Sequence, residues 1–198
     1  MSESDRRKRR RRRRIQIVVV YVAVAIGLAW FFESQATTTL IFVRHAEKAL
    51  QPPDDPGLSP AGRRRVAELT RQLVDADVVA GVDAIYSTPF KRTLETARPL
   101  AEALDLPIHR YDPDPQEYEA VLDNILKSHK GKIVLVVGHS NTIPELIAEL
   151  GASKKVPPIA EGEYDNIYII SIPWFGKTKT IRLRYGEPYT GPKEPPPG

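Results

Sequence analysis

Ile41-Phe42-Val43-Arg44-His45-Ala46-Glu47 is the stretch on which the reading of this chain turns. A continuous apolar, β-branched run is what a strand buried on both faces looks like, and this one stops abruptly at Arg-His. A strand of that kind hands its last side chains to a crevice at the edge of the core. The pattern returns at Ile133-Val134-Leu135-Val136-Val137-Gly138-His139-Ser140-Asn141. Two of the chain's four histidines thus follow its two most hydrophobic strand-like runs. A pairing of that kind points to chemistry on a phosphate.

Outward from these runs the chain alternates. Thr38–Arg44 reads as a strand, and Ser59-Pro60 supplies an N-cap and first-turn proline for a helix through about Val74. Asp83–Ser87 reads as a strand, Arg92–Leu104 as a helix, Pro107–Tyr111 as a weaker strand and Gln116–Ser128 as a helix. Lys132–Val137 is a strong strand, and Asn141–Leu150 a helix with Pro144 in its first turn. Asn166–Ile172 and Thr178–Tyr185 read as a closing strand pair around Phe175-Gly176-Lys177. Such alternation predicts a three-layer α/β/α sandwich with a mainly parallel central sheet.

Ahead of this domain lies a segment of another kind. Ile15 to Phe32 is 18 residues without a formal charge. At about 1.5 Å per residue a helix of that length measures roughly 27 Å, close to the thickness of a bilayer core. Trp30, Phe31 and Phe32 stand where an interfacial aromatic belt sits. Residues 1–14 carry eight Arg and one Lys, and a basic flank on this side alone predicts a cytoplasmic N-terminus with the rest translocated. The competing reading is a cleaved signal peptide, but its apolar region is usually about 7–15 residues and ends in a small-residue cleavage site. Glu33-Ser34-Gln35-Ala36 is a weak one. The predicted organisation is a basic cytoplasmic tail (1–14), a signal-anchor transmembrane helix (15–32), a short tether (33–37), the folded domain (38–186) and a disordered Pro-rich tail (187–198). The domain is then extracytoplasmic, and periplasmic in a bacterium.

Charge and cysteine content exclude several classes. The first 14 residues carry a net +7 against the chain's formal +4, so the remainder is −3 and gives no case for a nucleic-acid-binding body. The arginine run serves as a topology determinant that also holds anionic headgroups. With no cysteine there are no disulfides, thiolate metal sites, cysteine nucleophile or lipoprotein anchor.

In open α/β sheets the functional crevice lies beyond the carboxyl ends of the strands. Arg44 and His45 fall there after the first strand, Arg92 after Ile85-Tyr86-Ser87-Thr88-Pro89, and His139 after the strand ending at Val137. Two guanidiniums grip phosphate oxygens through charge-assisted, paired hydrogen bonds. A histidine between them can take the phosphoryl group on a ring nitrogen, and a second can stabilise the equatorial oxygens. A helix opening near Asn141 aims free N–H groups at the same anion.

Arg44-His45-Ala46-Glu47, Ser87-Thr88-Pro89-Phe90-Lys91-Arg92-Thr93 with Thr96-Ala97, and Gly138-His139-Ser140 resemble, in order and spacing, the three signatures of the histidine phosphatase superfamily, which includes the cofactor-dependent phosphoglycerate mutases. Leu58-Ser59-Pro60-Ala61-Gly62 resembles the family's opening of its first helix. The resemblance covers roughly Thr38 to Tyr185. It implies His45 as the phosphorylated nucleophile, with Arg44, Arg92 and His139 completing the phosphate pocket. The reaction it implies is two-step, transfer to His45 and then attack by water, with no metal and no cofactor.

The match departs from the family in two places. Ala46 stands where many members have Gly. The general acid, which many members take from between the second arginine and the second histidine, has four candidates in a short segment: Asp112, Asp114, Glu117 and Glu119. Asp114 is equally explained by turn chemistry and Glu119 by a solvated helix face. Without an acid, leaving groups of low pKa such as phosphohistidine, acyl or aryl phosphates are favoured. Asn141 can bond substrate or cap a helix, and Glu47 can orient His45 or bond a neighbouring backbone group. Arg63, Arg64 and Arg65 read as a solvated helix face or as a grip on a large anion, and His109 and His129 as surface positions.

The resulting expectation is a membrane-anchored phosphatase acting on small phosphomonoesters through phosphohistidine at His45. Two alternatives stand beside it: a protein phosphohistidine phosphatase, and a non-catalytic membrane-tethered phosphate-binding module.

Overall fold

The structure is a computed structural model describing residues 3–33, 37–75, 81–153, 155–174 and 176–191. The chain divides into two compact units, 1–36 and 37–198. The first is a single helix, α1 (Glu3–Glu33), in which the basic run continues without a break into the apolar segment. Within it Arg12–Phe31 is long and apolar enough to cross a membrane, with a mean hydropathy of 2.0 and none of its surface buried by protein. A signal sequence meets the same description. The residues of the expected tether at 34–36 and of the Pro-rich tail at 192–198 lie outside the described residues, as does Phe175 of the expected turn.

The second unit is built on one six-stranded sheet. Its elements are β1 (Thr38–Arg44), α2 (Pro60–Asp75), β2 (Ala84–Ser87), α3 (Lys91–Leu104), β3 (Ile108–Arg110), a 3-10 turn (Pro115–Glu117), α4 (Tyr118–Ser128), β4 (Ile133–Gly138), α5 (Thr142–Glu149), β5 (Asn166–Ile172) and β6 (Lys179–Arg184). The strand order is β3-β2-β4-β1-β5-β6. β1 and β4, the two apolar runs, lie side by side at the centre, as strands buried on both faces must.

The sheet is mixed, not mainly parallel. β3, β2, β4 and β1 are parallel, whereas β5 runs antiparallel to β1 and β6 antiparallel to β5. The reason is the path after α5. That helix leads away from the carboxyl ends of the parallel strands, and residues 150–165 bring the chain back to them, so β5 starts beside Val43 and descends. The short β5–β6 connection then enforces a second antiparallel pair.

Helices cover both faces. On one, α4 and α5 place Tyr118, Leu122, Ile125, Ile143, Leu146 and Ile147 against Leu40, Phe42, Val134 and Val136. On the other, α2 and α3 place Leu69, Leu73, Ala97, Leu100 and Ala101 against Ile41, Val43, Ile85 and Leu135. Alternate residues of each central strand thus face alternate helix layers. The helix starts are specified locally. Ser59 Oγ accepts the Gly62 N–H at 3.0 Å, the expected cap of α2. A side chain at Gly62 would run into the Glu47 carbonyl, so only glycine lets α2 approach β1's exit so closely.

Candidate active site

The register of the central strands brings the site together. Arg44 pairs with Gly138, and the His45 N–H donates to the Gly138 carbonyl at 3.0 Å, so His45 and His139 leave adjacent strands side by side. Their ring centroids are 5.3 Å apart. β2 ends in the same plane at Ser87, opposite Val137, and delivers Thr88, Phe90 and Arg92. Arg44, His45, Arg92 and His139 line one open cavity of about 570 Å³, within the range of small-molecule sites. Lys48, Phe90, Pro113, Ser140, Asn141, Thr142, Ile159 and Glu161 complete its wall.

Both histidines are buried, His45 at 4% and His139 at 8% exposure. Burial, reinforced by Arg44, the neighbouring histidine and Arg92, pushes His45 down to about 3 despite the bond to Ala46. Burial with Arg92 and Arg44 pushes His139 down to about 4. At neutral pH both rings are uncharged. His45 Nδ1 lies 2.8 Å from the Ala46 carbonyl, which can only accept, so Nδ1 carries the proton and Nε2 keeps its lone pair. That is the form a nucleophilic imidazole requires.

His139 is fixed by a hydroxyl chain. Its Nε2 is 3.0 Å from Thr88 Oγ1, which is 2.8 Å from Thr93 Oγ1. The Thr93 hydroxyl reaches two carbonyls, Phe90 at 2.8 Å and Thr88 at 3.0 Å, and spends its proton there. Thr88 then donates to Thr93 and accepts from His139 Nε2–H.

The two guanidiniums are held over aromatic rings, Arg44 4.2 Å from the Tyr164 centroid and Arg92 4.5 Å from that of Phe90. Burial lowers both from their ordinary value, so an anion between them is electrostatically favoured. Arg44 Nη1 donates to the carbonyls of Ala160 at 2.8 Å and Glu163 at 3.1 Å. Its buried Nε has no partner, which leaves a donor for a bound oxyanion.

Other sequence candidates fall elsewhere. None of Asp112, Asp114, Glu117 and Glu119 lines the cavity, and all four are exposed. Asp112 Oδ1 accepts the Asp114 N–H at 3.1 Å, and Asp114 Oδ1 the Gln116 N–H at 3.0 Å, so these two carboxylates shape a turn. Glu47 pairs with Arg65 at 2.8 Å. Arg65 also donates to the carbonyls of Tyr185 and Glu187, so it is a structural tie instead of a solvated arginine, while Arg63 donates to the Leu58 carbonyl and Arg64 is exposed. Asn141 occupies the N-cap position of α5 but its side chain bonds no helix N–H; Thr142 Oγ1 accepts the His139 N–H at 2.9 Å, and Asn141 is left on the cavity wall. His129 is half-buried and bonds the Tyr86 hydroxyl at 3.0 Å, with the exposed His109 stacked on the same ring. Among the described residues no cluster of three or more metal-ligating side chains exists.

Sequence reasoning missed Lys48, Ile159, Glu161 and Tyr164. Lys48 directly follows the first signature. The other three belong to residues 150–165, where no periodicity announces a return to the site.

One buried and one half-buried guanidinium stand around two neutral histidines at the ends of parallel strands, an arrangement able to hold a phosphoryl group beside an imidazole lone pair. Comparison with known proteins points the same way: the profile of the histidine phosphatase superfamily (branch 1) matches residues 40–118. The chain carries that profile over this stretch. Over 79 residues it is 38% identical to phosphoserine phosphatase 1 of Hydrogenobacter thermophilus, a match spanning 37% of this chain and about a third (36%) of that protein's length. Its fold is similar to that of the protein histidine phosphatase SixA, solved with tungstate (TM-score 0.60, 20% identity, 74% of this chain and 96% of SixA). It is also similar to a phosphoserine phosphatase of Entamoeba histolytica, solved with phosphoserine (TM-score 0.51, 17% identity, 70% of this chain and 95% of that one).

Proposed function

We propose that this chain is a membrane-anchored phosphatase that hydrolyses small phosphomonoesters through a phosphohistidine on His45. The observation that carries the reading is the state of His45: uncharged, with Nδ1–H fixed on a carbonyl and Nε2 free beside two cations. Arg44 and Arg92 bind the phosphoryl oxygens, and His139, whose Nε2–H is held by Thr88, donates to them from Nδ1 once the phosphate dianion in the cradle has drawn a second proton onto the ring. In the first step the His45 Nε2–P bond forms and the ester P–O bond breaks. In the second, water attacks phosphorus and His45 regains its lone pair. The buried basic cradle and the nucleophile together supply the reaction, and no metal is required by this scheme.

The anchoring part of the proposal rests on the apolar segment Arg12–Phe31 and on the basic block in front of it. In this reading residues 1–14 are cytoplasmic, 15–32 span the membrane, and the domain at 38–186 acts outside the cytoplasm. A reporter fused to the C-terminus tests the orientation, and a cytoplasmic signal would overturn it.

The enzymatic part is tested with the full-length protein in detergent on an aryl phosphate, beside His45→Ala. Turnover in the parent, a phosphoenzyme trapped by acid quench and neither in the variant is the expected result. Phosphate binding with no turnover on any ester would leave a binding module. A second reading, a protein phosphohistidine phosphatase, is favoured by one observation: all four carboxylates of the 112–119 segment stand outside the cavity. Preference for a phosphorylated histidine protein over alkyl phosphates would select it.

A further inference from the structure

The loop that returns the chain to the site ends in a turn that is fastened to Arg44. The Glu163 N–H donates to the Ala160 carbonyl at 2.9 Å, closing a four-residue turn with Glu161 and Gly162 at its corners. Arg44 Nη1 bonds the carbonyls of both end residues. From behind, Arg184 Nη2 donates to Glu163 Oε1 at 2.8 Å, and Glu163 Oε2 accepts the Ala160 N–H at 3.2 Å. Gly162 backs onto Tyr189, whose ring carbon would lie 3.1 Å from an added Cβ. The corner that carries Glu161 is thus positioned by the same guanidinium that grips the phosphate.

Glu161 is the only carboxylate among the described residues that line the cavity. It makes no hydrogen bond to, and no ion pair with, any described residue, although it lies close enough to Arg44 and Tyr164 to interact with them electrostatically. A charged side chain that serves no structural contact, on a turn bolted to the phosphate cradle, is free to serve the substrate. The rest of the wall is arginine, lysine, imidazole, hydroxyl, amide and apolar side chains, with no other carboxyl among the described residues, and an ester with a strongly basic leaving oxygen needs a proton as its P–O bond breaks.

We propose that Glu161 is the general acid and base of this site, which rests on the phosphatase reading above and deepens it to alkyl phosphomonoesters. As His45 Nε2 bonds phosphorus, the carboxyl proton of Glu161 passes to the departing alkoxide oxygen, which leaves as the neutral alcohol. The Glu161 carboxylate then takes a proton from the water that attacks phosphorus, the N–P bond breaks, and inorganic phosphate leaves with Glu161 protonated again.

The test uses the full-length chain in detergent, assayed on p-nitrophenyl phosphate and on an alkyl ester such as glycerol 2-phosphate, beside Glu161→Gln and Glu161→Asp. The side chain is exposed and bonds no described residue, so both variants are expected to melt like the parent. In Glu161→Gln the ratio of alkyl to aryl turnover is expected to fall by about 10²-fold, within the usual contribution of a positioned proton donor. The basic limb of the alkyl pH–rate profile is expected to disappear with it, and Glu161→Asp to restore part of both. Equal losses on the two esters, or none on either, would overturn the assignment while leaving the phosphatase intact. A parent that hydrolyses aryl but not alkyl esters would overturn it as well. A parent inactive on both would bring down the phosphatase reading itself.

Discussion

The parallel half of the sheet and its antiparallel edge contribute to the site in different ways. β1, β2 and β4 deliver Arg44, His45, Thr88 and His139 directly from strand ends, aimed by backbone register, and the first turn of α3 adds Arg92. The edge delivers nothing from a strand end. The loop before β5 folds over the cradle, and β6 holds that loop through Arg184, which pairs with Asp165 at 2.6 Å and with Glu163 at 2.8 Å. The rigid half fixes the reacting atoms, whereas the edge fixes what surrounds them. Substitutions in the two halves are therefore expected to differ in kind as well as in size.

The largest effect belongs to the parallel half. His45→Ala removes the proposed nucleophile, and turnover is expected to drop by at least about 10³-fold while the melting curve changes little. Thermal melts and steady-state assays on the same preparation check both parts. A drop of less than tenfold would mean that the strand ends do not carry the chemistry.

Arg184→Met is the counterpart on the edge. It strands Asp165, which is fully buried, and loosens the turn beneath Glu163. Leaving a buried carboxylate without its cation costs about 3 kcal/mol, read as a lower urea midpoint. Turnover of alkyl esters is expected to fall by roughly tenfold, because the cradle survives and only its cover shifts. Loss of activity as complete as in His45→Ala would erase the distinction between the halves.

Acid separates the halves by window. His45 and His139 have folded values pushed down to about 3 and about 4, below the ordinary 6.5. The unfolded chain therefore takes up protons first, and stability is lost as pH falls from about 6.5 toward about 4 for His139 and about 3 for His45. Glu163 and Asp165, although burial opposes it, are held below their ordinary values by hydrogen bonds from the neighbouring backbone and from Arg184. The stability they provide is present above the ordinary carboxylate range and is lost as pH falls below it. Urea midpoints at pH 7, 5 and 3.5 are expected to fall in two stages. His139→Gln should flatten the first and leave the second, and Arg184→Met the reverse.

Legibility in the sequence divides along the same line. Two apolar runs ending in Arg-His and Gly-His announced the central strands, and strand pairing did the rest for His45 and His139. Arg92 was legible because it opens a helix directly after a strand. The parallel-sheet expectation failed at β5, since nothing in Ser153–Asp165 signals whether a chain crosses the sheet or climbs back beside it. The carboxylate search failed for a related reason: it followed chain order, whereas Glu161 reaches the cavity only through a turn whose anchor, Arg44, is 116 residues away from Ala160. The interactions that fix it are backbone carbonyls, which leave no mark on composition.

The smallest expected effect lies between the halves, at Asp55. Its carboxylate accepts the Lys91 N–H at 3.0 and 3.2 Å, capping α3 from a neighbouring loop, and stands 3.9 Å from Arg92 Nη1. Asp55→Asn keeps an oxygen for the cap and removes only the charge. The side chain is 48% exposed, so water screens most of that charge, and stability is expected to stay within about 0.5 kcal/mol. What remains is the competition for Arg92: without a rival anion the guanidinium is freer for phosphate, and the inhibition constant for inorganic phosphate is expected to fall about twofold. A rise instead would show that Asp55 holds Arg92 in its binding pose, which would make this loop a working part of the site and not merely its neighbour.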